Sequence, residues 1–160
     1  MQTSINPSAF NHAMALLLER LELPPCSPPP PAYRLRFGAE PPVYAANRPG
    51  GWLELLTCVA QLGPAQVAAL APALLDLQLR QEHGPLLMIG MDKQNGKLTV
   101  RTRLRLAECR ADDMVAALQA LRALAAAVRT LVAGKPAEPG PAVGRGGARA
   151  GLRRGAVLMG

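Results

Sequence analysis

The 160-residue chain suits one domain of ordinary size, and with 49% hydrophobic residues it can bury a core, which argues against global disorder. A formal charge of +7 and a pI of about 10.2 suggest an anionic partner. In residues 135–160, however, five cations stand against one anion, so four of the seven net charges lie there and only three remain on residues 1–134.

Asn6-Pro7 predicts a helix start, because asparagine can cap free amides and proline fits the first turn without losing a useful donor. Phe10, Met14, Leu17 and Leu21 then recur at helical spacing along one face, and Pro24-Pro25 stop the helix. Pro24 to Pro31 reads as a stiff extended connector. Tyr33, Leu35 and Phe37 alternate with Arg34 and Arg36, which predicts a half-buried strand. A turn at Gly38 to Pro42, a short strand over Val43 to Ala46, and a second turn at Asn47 to Gly51 follow. Trp52 to Ala60 is nearly all apolar, as expected of a central strand covered on both faces.

Gly63-Pro64 opens a second helical region, but Pro72 lies inside it and predicts a kink or two pieces, the firmer one running from Pro72 to Glu82. Leu70, Leu74 and Leu77 line its apolar face, and Gly84-Pro85 end it. Leu86 to Met91 and Lys97 to Leu106 predict a hairpin around Asp92-Lys93-Gln94-Asn95-Gly96, since Asn-Gly supplies the positive φ a tight turn needs. In its second strand the even-numbered residues from Leu98 to Leu106 take one face, and Arg101, Arg103 and Arg105 share the other with Thr99. Asp112 is the expected N-cap of a long helix, with Asp113 complementing the helix dipole. Met114, Leu118, Leu121, Ala125, Val128 and Val132 carry its core face to Gly134. The Gly-, Pro- and Arg-rich stretch 135–160 lacks an apolar period and is expected to be a flexible basic tail after an α+β domain spanning 1–134.

Little in this pattern suits catalysis. His12 and His83 lack a fixed carboxylate partner or third ligand, no P-loop, GxSxG or HExxH pattern occurs, and Gly144-Arg145-Gly146-Gly147 follows no strand. Cys26, Cys58 and Cys109 are odd in number and widely separated, which reads as reduced thiols in a cytosolic protein. No enzyme activity, metal or cofactor is expected. The N-terminus lacks a cation before its apolar run, so no secretory signal is expected, and Gln61, Gly63, Pro64, Gln66 and Pro72 break up the uncharged span 55–75, so no membrane span is expected either.

The order helix, three antiparallel strands, helix, β-hairpin, long C-terminal helix resembles the class I type III secretion chaperones, the Tir chaperone (CesT) family. The resemblance rests on Leu74-Leu75-Asp76-Leu77-Gln78-Leu79, the Gly84-Pro85 break, Leu86-Leu87-Met88-Ile89-Gly90, the turn through Gly96, Leu98-Thr99-Val100 with Leu104 and Leu106, and the helix beginning at Asp112-Asp113. Gln78 stands where the family often has Asn, Pro72 interrupts the second helix, and the family is usually acidic. The resemblance implies a homodimer in the bacterial cytoplasm that binds the N-terminal region of one or more secreted effectors without ATP hydrolysis and keeps it extended for export. It also points to the secretion-apparatus ATPase as a partner. Effector binding is then expected at Leu17, Leu18, Leu21, Leu35, Phe37 and Tyr44, and the dimer interface at Leu70, Leu74, Leu77, Leu87 and Ile89. For every one of these a plain core role is an equal reading. An alternative function is that of a small nucleic-acid-binding regulator acting through Arg101, Arg103, Arg105 and the basic tail, although aromatic residues, at 3%, are too few for base-stacking platforms.

Overall fold

The structure, a computed structural model, describes residues 7–81, 84–92, 95–134 and 156–159. Helix α1 spans Pro7–Arg20 and buries Phe10, Met14, Leu17 and Leu18; Asn6 lies outside the described residues. The chain leaves α1 through Glu22, whose φ of 56° is left-handed, so that the Leu23 amide donates back to the Leu18 carbonyl at 2.9 Å.

Strands β1 (Ala32–Phe37), β2 (Val43–Arg48) and β3 (Trp52–Gln61) form the expected antiparallel meander. The alternation read in β1 is real: Tyr33, Leu35 and Phe37 are buried, and Phe10 of α1 meets Tyr33 edge-on at 5.9 Å between ring centroids. Strands β4 (Leu87–Asp92) and β5 (Lys97–Arg105) form the hairpin, and β5 pairs antiparallel with β3. Of its turn, Lys93 and Gln94 lie outside the described residues. Gly96 does adopt a positive φ, 63°, and it does more than turn the chain. Its carbonyl accepts the Leu62 amide at 2.8 Å, and a Cβ placed on it would stand 2.6 Å from the Leu62 carbonyl oxygen.

The central strand β3 departs from expectation. Its Leu53, Leu55 and Val59 are buried on the helix side with Thr57, and a bulge after Cys58 brings Ala60 back to that core side opposite Leu98, but Trp52, Leu56 and Cys58 on the other face are only half-buried. Cross-strand side chains shelter that face, above all Arg105, whose guanidinium lies 4.3 Å from the centre of the Trp52 ring.

Helix α2 (Pro64–Leu79) is one continuous helix, not two pieces, and it ends before Glu82, which with His83 lies outside the described residues. Pro72 is exposed, and so is Ala68, whose carbonyl loses its helical partner there; water can satisfy that oxygen, so the helix runs on. Gln66 accepts the Gly63 amide at 2.9 Å and fixes the helix start. Helix α3 (Ala111–Val132) buries Met114, Leu118, Leu121, Ala125 and Val128, as its period requires, and Gly134 closes it with a φ of 68°. Its N-cap is Arg110, with extended backbone, rather than Asp112. Asp112 sits in the first turn instead and pairs with Arg20 of α1 at 3.0 Å, an exposed link between the two helices.

A further strand comes from a stretch expected to be tail. Ala156–Met159 forms β6, antiparallel to β1, and completes a six-stranded sheet of order β4-β5-β3-β2-β1-β6. Four apolar residues in a row can form such a strand only where an edge is free to receive them, which a reading by composition cannot register. Residues 135–155 lie outside the described residues.

Candidate functional site

Two surfaces are candidates for association. The first is the β1 end of the sheet, where the short strand β6 lies along β1. Beneath it lies a firm floor: Leu17, Leu18 and Leu21 from the α1 segment and Leu35 and Phe37 from β1 are all 7% exposed or less. At its end, Arg122 of α3 lies 4.3 Å from the centre of the Phe37 ring and donates two hydrogen bonds, at 2.8 and 2.9 Å, to Glu40 in the β1–β2 turn. The hydrogen bonds from Arg122 pull the Glu40 carboxyl below its ordinary range, against a smaller upward push from burial. Tyr44 stands apart from this group: it is 39% exposed on the opposite face, with the Arg34 guanidinium 5.9 Å from its ring. The sequence assigned six side chains to effector binding, and five of them are core. The outer backbone of β1 is taken up by β6, which pairs with residues 34–37.

The second surface runs over α2 and β4. Of all α2, Leu74 alone is buried, while Leu75 is 58% exposed and Leu79 72% exposed; Leu86, just before β4, is 73% exposed. Leu87 is buried, and Leu70, Leu77 and Ile89 are half-buried. The five expected dimer residues therefore lie on one pair of packed elements but at its root, and the apolar surface presented outward is Leu75, Leu79 and Leu86. The signal for these was present: a helix carrying Val67, Leu70, Leu74, Leu75, Leu77 and Leu79 has more apolar positions than one face can bury.

Gln78 binds these two elements together. Its side-chain amide donates to the Leu87 carbonyl, and its carbonyl oxygen accepts the Ile89 amide at 2.8 Å. The two bonds imitate one rung of a sheet and occupy the outer backbone of β4.

The outer sheet face carries Arg34, Arg36, Arg48, Arg101, Arg103 and Arg105 around Glu54, which is 2% exposed. Glu54 accepts from Arg103 at 2.9 Å and from Arg48. Burial pushes its carboxyl up, but the hydrogen bonds and charges of Arg103 and Arg48 outweigh that push and hold it below the ordinary range. Among the described residues no group of three or more His, Cys, Asp or Glu side chains is placed to hold a metal ion. The described cysteines are free thiols; Cys109 is pushed up to about 11 by burial and by the charges of Asp113 and Glu108, so it stays protonated near neutral pH.

No family model and no curated protein matches the sequence. Solved structures do match the fold. A chain of the ExoT–SpcS complex from Pseudomonas aeruginosa superposes with a TM-score of 0.62 at 19% identity, covering 76% of this chain and 97% of that one. The Yersinia pestis type III secretion chaperone SycH, in complex with a stable fragment of YscM2, gives a TM-score of 0.59 at 12% identity over 73% of this chain and 97% of its own. A chain of the HopA1–SchA chaperone–effector complex gives 0.51 at 16% identity, covering 78% of this chain and all (100%) of that one.

The fold is that of the type III secretion chaperones.

Within this chaperone fold the expected element order is confirmed, and the nucleic-acid alternative finds no support. Arg103 pairs with Glu54, Arg105 lies over Trp52, and Arg101 is half-buried, so the expected arginine stripe is partly engaged within the sheet.

Proposed function

We propose that this chain is a type III secretion chaperone of the class I, CesT-like kind, acting in the bacterial cytoplasm as a homodimer. It binds the N-terminal region of one or more effectors, holds it extended, and delivers it to the export apparatus and its ATPase without hydrolysing ATP itself. The observation that carries this reading is an α2–β4 face with Leu75, Leu79 and Leu86 largely exposed, on a fold shared with a type III secretion chaperone and with chains of chaperone–effector complexes. An apolar patch on a small domain marks an association surface, and the same patch on two copies is self-complementary about a two-fold axis.

The sheet supports the second half of the reading. A client segment that adds to an edge strand is held by backbone hydrogen bonds, which tolerate varied sequences and leave the segment unfolded beyond the contact. With Gln78 occupying two outer backbone groups of β4, β1 is the strand suited to that role, lying over the Leu17, Leu18, Leu21, Leu35 and Phe37 floor and carrying on its outer side the short strand β6. The test is co-expression with effector proteins encoded beside this chain, followed by purification and trimming of the effector to its N-terminal segment. A complex of two chaperone chains with one N-terminal segment is the expected product. Failure of every candidate segment to co-purify overturns the proposal.

A further inference from the structure

We infer that Ala156–Met159 is a built-in occupant of the β1 edge, a segment of the chain's own that holds the client position and must be displaced before a client strand can pair there. The inference rests on the chaperone reading for the identity of the client, but not for the pairing itself. The register is explicit: Ala156 lies opposite Phe37, Val157 opposite Arg36, Leu158 opposite Leu35, and Met159 opposite Arg34, antiparallel. Without β6 the sheet would end at β1 and present a row of unpaired amides and carbonyls, the condition that invites pairing with any extended peptide.

Three observations favour a replaceable occupant over a structural strand. The pairing is four residues long, against ten residues for β3, so it supplies few ladder bonds. The segment is joined to α3 through the 21 residues between Gly134 and Ala156, which keeps it near β1 at an effective concentration on the order of millimolar. A pairing weak enough to dissociate thus still covers the edge most of the time. The other end of the sheet is guarded differently, by Gln78 of a packed helix bonded to the β4 backbone. One end is therefore capped at two backbone groups by a fixed side chain, and the other is covered by a tethered strand. A client longer than four residues gains more bonds than the tail loses. Peptides of four residues or fewer do not, so the tail acts as a threshold as well as a cover.

The experiment uses the full chain, unaltered and as the double variant Val157→Pro, Leu158→Pro; proline removes ladder donors and is not accommodated within a paired strand. Circular dichroism checks that both are equally folded. Amide hydrogen exchange is read over residues 34–37, and binding is measured for a fluorescein-labelled peptide of residues 151–160. In the unaltered chain the outward amides of 34–37 are expected to exchange slowly. In the variant they should exchange about tenfold faster, and the labelled peptide should bind about tenfold more tightly, because an edge covered nine-tenths of the time lowers apparent affinity by that factor. Free exchange at 34–37 in the unaltered chain, or equal exchange and equal peptide affinity in the two forms, overturns the inference. An effector N-terminal segment should show the same gain in affinity. If no effector segment binds either form, the chaperone reading fails while the exchange and peptide results still decide the role of the tail.

Discussion

Leu79→Ala tests the proposed dimer face at its most exposed helical leucine. Leu79 is 72% exposed on α2, so its truncation removes little from the fold of one chain, and alanine is at least as good a helix former as leucine. Deleting three buried carbons costs about 2.4 kcal/mol at roughly 0.8 kcal/mol each, and scaling by the exposed fraction leaves about 1.7 kcal/mol. In a two-fold interface the residue counts once on each subunit, which gives about 3.4 kcal/mol, or roughly 300-fold in dimer Kd. Sedimentation equilibrium over a dilution series reads that shift directly, with thermal unfolding of the variant monomer as the control for folding. An unchanged dissociation constant would show that Leu79 lies off the interface. A monomeric unaltered chain at about 100 μM, far above any Kd expected of an obligate pair, would refute the whole assignment of this face.

Gly96→Ala should destabilise the fold by about 2–4 kcal/mol in urea unfolding, because the new methyl meets the Leu62 carbonyl at 2.6 Å on top of the cost of a left-handed φ; a loss under 1 kcal/mol would mean that the hairpin does not rest on that loop. Glu22→Gly should raise stability by about 0.5–1 kcal/mol, since glycine adopts the left-handed position after α1 without strain, and no gain would place the residue elsewhere in solution. Glu54→Gln should cost about 1–2 kcal/mol at pH 7, a figure kept modest because Arg48 and Arg103 are half-exposed. The Glu54 carboxyl is held below its ordinary value near 4.5, so the ionised form contributes fully above that pH and the contribution fades as pH falls through the lowered value. The gap in stability between the unaltered chain and the glutamine variant should accordingly narrow as the pH falls below 4.5; a gap independent of pH would rule out the charge as its origin.

Local pattern carried most of the architecture. The period-two alternation of Tyr33, Leu35 and Phe37, the helical spacing of Phe10 to Leu21 and of Met114 to Val128, and the Asn95-Gly96 turn each depend on neighbours a few residues away, and each is present in the fold. Element ends were less legible. Arg110 rather than Asp112 stands at the N-cap of α3, and Asp112, in the first turn, meets Arg20 across the α1–α3 contact, a partner 92 residues distant. Pro72 predicts a break only if its helix is buried, and here the helix is exposed around it.

The candidate sites depended on contacts that no local pattern contains. Leu17 and Leu75 are both leucines on apolar helix stretches, yet Leu17 is fully buried and Leu75 is 58% exposed, a difference set by what packs across from each. Gln78 reads as a polar residue on a helix until β4 is brought against it.

By itself the chain determined three helices, the strands β1 to β5, their order, and a core too apolar to leave unfolded, because those follow from spacing along the backbone and from the cost of exposing hydrocarbon to water. The tertiary structure alone decided which leucines remained outside, which sheet end was bonded by a glutamine at two backbone groups, and which was covered by Ala156–Met159. Edges and leftover surface exist only after distant segments have paired, so they are properties of the assembled sheet and not of any stretch of sequence.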